Sequence, residues 1–123
     1  MTDILILDDD EQILLMTRTM LEREGYQVTT ATRGQDALAT LENQAPALLI
    51  TDILMPAMDG IDVINECRKR FPQLAILAMS GGRRKISAEF NLKSARMLGA
   101  EATLAKPFSK SQLISAVARL LRN

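Results

Sequence analysis

At 123 residues the chain is near the commonest size of a single domain, so it builds one core and has no room for a second. Hydrophobic residues make up 47%, enough for a packed interior and too many for a disordered chain. The 15 basic and 15 acidic residues cancel, which leaves no global field to hold nucleic acid or an anionic membrane surface. The chain has no histidine, and this excludes His-based triads and His–metal sites. One cysteine, Cys67, cannot form an intramolecular disulfide and suits a reducing cytoplasm. The N-terminus lacks the basic stretch of a secretory signal, and no apolar run approaches the length of a membrane span.

Read in chain order, short apolar runs alternate with stretches of helical spacing. Asp3–Leu7 has strand character and runs into four consecutive acids, Asp8, Asp9, Asp10 and Glu11. A helix follows, with Ile13, Thr17, Met20, Leu21 and Glu24 expected on its inward side and Gly25 as its stop. Gln27–Ala31 reads as the second strand. A helix from about Gln35 to Asn43 then carries Ala37, Leu38 and Leu41 inward. The third strand is Ala47–Thr51, ending beside Asp52, and the third helix is Ile61–Arg70, closed by Pro72. Leu74–Met79 is the fourth strand, ending beside Ser80; a fourth helix ends at Gly99, its start blurred by Gly81, Gly82 and the basic run Arg83, Arg84 and Lys85. Ala102–Ala105 is the fifth strand, followed by Lys106 and a helix over Ser109–Leu121 with Ser109 as its cap.

Five such βα units without repeat or linker predict one domain over residues 1–123: an α/β, doubly wound, flavodoxin-like fold with a five-stranded parallel sheet. In its strand order, 2-1-3-4-5, strands 1 and 3 are neighbours and ligands bind at their carboxyl ends. That order collects Asp8, Asp9 and Asp52 at one crevice. Three carboxylates together repel one another unless a cation sits among them, and hard oxygen donors suit Mg²⁺ or Mn²⁺. Ser80 and Lys106, at the ends of strands 4 and 5, add a hydroxyl and a point positive charge. The set makes a cradle for a phosphoryl group, with Asp52 as the natural nucleophile. Asp10 and Glu11 are expected to serve the following helix, as its cap and against its N-terminal dipole.

The stretches ILILDDDE, ITDILMPAMDG, AMSGG and GAEATLAKPF resemble the receiver domain of two-component response regulators, in order and over essentially the whole chain. The resemblance implies that Asp52 accepts phosphate from a phosphohistidine on a sensor histidine kinase or histidine phosphotransfer protein. It further implies that Asp9 and Asp52 ligate Mg²⁺ with the backbone carbonyl of Leu54, that Asp8 helps through water, and that Ser80 and Lys106 bind phosphoryl oxygens. Pro56 and Gly60 would shape the loop after Asp52, and Lys106–Pro107 would be a cis peptide bond. Such a domain is a signalling phosphoacceptor and not a turnover enzyme, and it passes its signal to a downstream protein target as a monomer or weak dimer. The sequence contains no DNA-binding output segment, so the expectation is a single-domain regulator of the chemotaxis type; a receiver excised from a larger regulator or hybrid kinase is the alternative. Receivers usually carry an aromatic residue three positions before the lysine, where this chain has Thr103. That difference implies an output movement centred on the loop after Ser80.

Each of these residues taken singly has a plainer reading. An acid at a strand end is usually a cap or turn former, Cys67 on an apolar stripe a small core residue, and Arg83–Lys85 a solvated loop. The rival function is a small haloacid-dehalogenase-like phosphohydrolase, built on Asp8–Asp10, Ser80 and Lys106. Against it, Gln12 replaces the expected Thr or Val, no acidic pair follows Lys106, and Asp52 would be left unexplained.

Overall fold

The computed structural model describes residues 3–53, 60–80 and 99–121, with backbone alone for residues 60, 61 and 80. Leu54, Pro56, Gly81, Gly82, the Arg83–Lys85 run and the helix expected before Gly99 lie outside the described residues. Strands β1 (Ile4–Leu7), β2 (Val28–Ala31), β3 (Leu48–Asp52), β4 (Ala75–Ser80) and β5 (Ala102–Ala105) form one parallel sheet in the order β2-β1-β3-β4-β5, as expected. The described residues also form four helices: α1 (Glu11–Arg23), α2 (Gly34–Gln44), α3 (Gly60–Arg70) and α4 (Lys110–Leu121).

The strands read as continuous apolar runs because both faces of the sheet are covered. Successive side chains point to opposite faces, which sorts the core into two clusters. Ile4, Ile6, Leu48, Ile50, Leu77 and Met79 pack against Leu14 and Leu21 of α1 and Leu113 and Val117 of α4. Leu5, Leu7, Leu49, Ile76 and Ala78 pack against Ala37, Leu38 and Leu41 of α2 and Val63, Ile64 and Cys67 of α3. Each fully buried Leu or Ile contributes about 1.5–3 kcal/mol. Among the described residues, no helix is long and apolar enough to cross a membrane.

Helix ends follow local chemistry. The Asp10 carboxylate caps α1 by accepting from the backbone N–H groups of Gln12 (3.0 Å) and Ile13 (3.3 Å), and Glu11 lies in the first turn. The same helix stops at Gly25 (φ +98°), with Gly25 N–H donating to Glu22 O and Tyr26 N–H to Leu21 O. This bonding pattern needs a left-handed residue, which glycine adopts without strain. Ser109 and Gln112 cap α4 reciprocally, each side chain accepting from the other's backbone N–H at 3.0 and 2.8 Å. One inward face differs from expectation. In α1 the buried residues are Leu14, Thr17 and Leu21, while Ile13 and Met20 are half-buried and Glu24 is exposed. Spacings of three and four place those buried residues on one line; Ile13 and Met20 flank it, and Glu24 is the C-terminal cap with its charge in water.

A polar tie spans the amino-terminal ends of β4 and β5. Arg68 donates to the carbonyls of Pro72 (3.1 Å) and Leu74 (2.6 Å) and pairs with Glu101 at 3.0 Å. The same Glu101 oxygen accepts from Ile76 N–H at 2.7 Å. Gly99 (φ +118°) lies so close that a Cβ there would come within 2.9 Å of Arg68 Cγ and Cδ.

Candidate functional site

Strand register brings the predicted residues together. Leu7 pairs with Thr51, so Asp8 and Asp52 leave neighbouring strands side by side. Asp52 pairs with Met79 and Ser80 with Ala105, so Lys106 emerges one residue further along the same sheet edge. Ser80 thus ends β4 at the expected place, although its side chain lies outside the described residues.

Asp8 has no exposed surface, Asp52 is almost buried and Asp9 is half-buried. One carboxylate oxygen from each lies within 4.8 Å of the others. Lys106 Nζ is 2.7 Å from Asp8 Oδ2 and 3.5 Å from Asp52 Oδ2. The other Asp8 oxygen accepts from Asp10 N–H at 2.9 Å. Asp10 therefore does more than cap the helix, a role its sequence position beside Asp8 does not disclose. Three clustered carboxylate oxygens, with one ammonium close to two of the acids, form a hard-oxygen site. The donor set fits Mg²⁺ or Mn²⁺.

The remaining predicted features divide cleanly. Lys106–Pro107 is cis. Thr103 lies in β5, half-buried and paired with Ala78. Cys67 is a buried core residue, and burial pushes its thiol up to about 11, with the Arg68 charge opposing the shift in part.

These features agree with comparisons to known proteins. Residues 4–118 match the response regulator receiver domain, and the chain belongs to that family. It is 34% identical over 119 residues to the alkaline phosphatase synthesis transcriptional regulatory protein PhoP of Bacillus subtilis, covering 97% of this chain and 48% of PhoP. Among solved structures it resembles the receiver domain of NtrX from Brucella abortus (TM-score 0.91, 31% identity, 98% of this chain and 99% of that one). It also resembles the chemotaxis protein CheY4 of Vibrio cholerae (TM-score 0.86, 29% identity, 98% and 99%). The chain spans about half the length of the curated relatives it matches. The phosphohydrolase alternative fares poorly against this geometry. It requires Asp8 as nucleophile, yet Asp8 is wholly buried and both its oxygens carry donors.

Proposed function

We propose that the chain is the phosphoacceptor of a two-component system or phosphorelay, with Asp52 taking a phosphoryl group from a phosphohistidine partner. The observation that carries this reading is the convergence of Asp8, Asp9, Asp52 and Lys106 at the carboxyl end of one sheet. An Asp52 oxygen attacks phosphorus as the phosphorus–nitrogen bond of the donor breaks. The bonding electrons stay with the imidazole nitrogen, which takes up a proton, and Asp52 is left as an acyl phosphate. Lys106, and the hydroxyl of Ser80, neutralise or bind the phosphoryl oxygens, whose charge is spread in the transition state. Asp9 and Asp52, with the Leu54 carbonyl and with Asp8 acting through water, would hold Mg²⁺ or Mn²⁺, which when bound offsets negative charge on those oxygens.

The donor is a sensor histidine kinase or histidine phosphotransfer protein, in keeping with the family. The chain catalyses only its own phosphorylation and dephosphorylation. The added negative charge shifts a conformational equilibrium that a downstream protein reads, in the cytoplasm, with the receiver monomeric or weakly dimeric. Incubation with a small acyl-phosphate donor and Mg²⁺ should add one phosphate by intact-mass spectrometry. Asp52→Asn, or a chelator, should abolish the addition. Phosphate recovered on Ser80 or Asp8 would overturn the assignment.

A further inference from the structure

We infer that the open edge of β2 is a self-complementary surface on which a second copy of this chain pairs, strand against antiparallel strand, about a two-fold axis at Thr29. The inference stands apart from the phosphoacceptor reading and concerns the opposite side of the sheet from β5.

Three observations carry it. The first is the direction of the peptide groups. β2 ends the strand order, with β1 as its neighbour. Gln27 O accepts from Ile4 N–H at 3.1 Å, and Ala31 O accepts from Asp8 N–H at 3.2 Å. Peptide groups alternate sides along a strand, so Thr29 also turns its backbone towards β1, while Val28 and Thr30 turn theirs outward. A two-fold axis at Thr29 sets Val28 opposite Thr30 of the second copy, and Thr30 opposite its Val28. Each pair then exchanges both of its N–H···O bonds.

The second observation is what borders the edge. Gln27–Thr32 carries no charge and no proline, the devices that usually guard a sheet edge against pairing. Among the described residues, the exposed large apolar side chains are Leu15 and Met16. Leu15 lines a cleft along this edge with Thr30 and Thr32.

The third is charge. Arg18 lies in that cleft, at the carboxyl half of the edge, and Glu22 lies in a second cleft at the amino half, with Tyr26 and Val28. The axis exchanges the two halves, so Arg18 of one copy faces Glu22 of the other and Leu15 faces Tyr26. Arg18 and Glu22 already pair within one copy at 3.1 Å, both nearly half-exposed, and the two pairs join into one network of alternating sign. An edge of one sign would favour a foreign segment of opposite charge. This edge offers both signs in the order that its own reversal needs, and the 15 basic and 15 acidic residues of the chain let two copies meet without net repulsion.

Sedimentation velocity over rising protein concentration tests the pairing, and the wild type is expected to pass from monomer to dimer. In the inferred register Thr29 lies directly opposite itself, with Cα atoms about 4.5 Å apart. Thr29→Lys and Thr29→Glu, each alone, should therefore weaken dimerisation at least about fivefold, because like charges meet. Their equimolar mixture should regain it. The mixture also controls for the contact of Thr29 Oγ1 with Gln44 (3.4 Å), which both variants lose. Thr29→Cys gives a second reading, since a disulfide can span that separation and the native Cys67 is buried. Under mild oxidation Thr29→Cys should cross-link to a dimer, while Val28→Cys, two residues out of register with its own copy, should not. A wild type that stays monomeric at its highest soluble concentration overturns the inference and leaves the edge to an extended segment of another protein. A charge mixture no better than the single variants overturns it as well. If those variants do not fold, the cysteine pair decides, and equal cross-linking by Thr29→Cys and Val28→Cys overturns the register.

Discussion

Lys106 donates to Asp8 Oδ2 at 2.7 Å, closer than the 3.5 Å that separates it from Asp52 Oδ2. The lysine that follows β5 is thus held first by the buried acid that follows β1 and only second by the acid that the proposed chemistry uses. A pair so nearly enclosed behaves unlike a surface salt bridge. Removing one member strands a charge that burial penalises.

Lys106→Met should for this reason destabilise the protein by about 3–5 kcal/mol in chelator-containing buffer, since Asp8 keeps its burial and loses its counter-charge. Adding Asp8→Asn removes the stranded charge and should recover most of the loss, because the two sites are coupled. Urea denaturation of the four members of this cycle checks it. A double variant no more stable than Lys106→Met would show that the loss comes from packing of the lysine stem.

Cys67 predicts a pH dependence. Burial raises its thiol from 9.0 to about 11, so the folded state favours the neutral form. Its contribution is fully present below about pH 9 and is lost as pH rises towards 11, by on the order of 2–3 kcal/mol. Denaturation midpoints of wild type and Cys67→Ala, measured at rising pH, should converge over that window. The native thiol should also resist alkylation at pH 8, because little thiolate is present.

Gly99→Ala should destabilise by about 1–3 kcal/mol. The residue has φ +118°, and its new Cβ would meet Arg68 Cγ and Cδ at 2.9 Å. Arg68 cannot swing aside without giving up Pro72 O, Leu74 O and Glu101. Combining Gly99→Ala with Arg68→Ala should cost less than the sum of the single changes, since the clash is then gone and only the backbone strain remains.

Thr17 lies fully buried in α1, and its hydroxyl has no hydrogen-bond partner among the described residues. Thr17→Val keeps the branched shape and removes that unsatisfied group. It should stabilise by about 1 kcal/mol, read as a higher urea midpoint. A lower midpoint would reveal a partner for the hydroxyl.

Much of this fold was legible in the sequence because its rules are local or topological. Apolar runs such as Leu48–Ile50 mark strands buried on both sides, and the 2-1-3 order alone brings Asp8 and Asp52 to one crevice. The face of α1 was less legible. Its apolar and polar residues are mixed closely enough that Ile13 and Leu14 compete for the inward position, and only packing against Ile4 and Ile6 decides. The preference of Lys106 for Asp8 over Asp52 was not legible at all. Register puts three chains of atoms at one edge, but which oxygen the ammonium reaches is a matter of side-chain geometry. The Arg68–Glu101 tie escaped for a similar reason, since its partners are distant in sequence and belong to no common pattern.

The pairing of Leu7 with Thr51 has a bearing on how such a domain can vary. Asp8 and Asp52 each come one residue after a shared rung, while the chain between them passes through α1, the edge strand β2 and α2. Their separation is therefore indifferent to the length of that detour. Residues can be inserted or deleted in the turns around Gly25 or Ala45 and the two carboxylates will still meet. A deletion inside β1 would carry Asp8 to the other face and dismantle the crevice in one step. Tolerance and intolerance to length change are thus distributed along this chain by the sheet, and a scan of single-residue deletions would trace the strands.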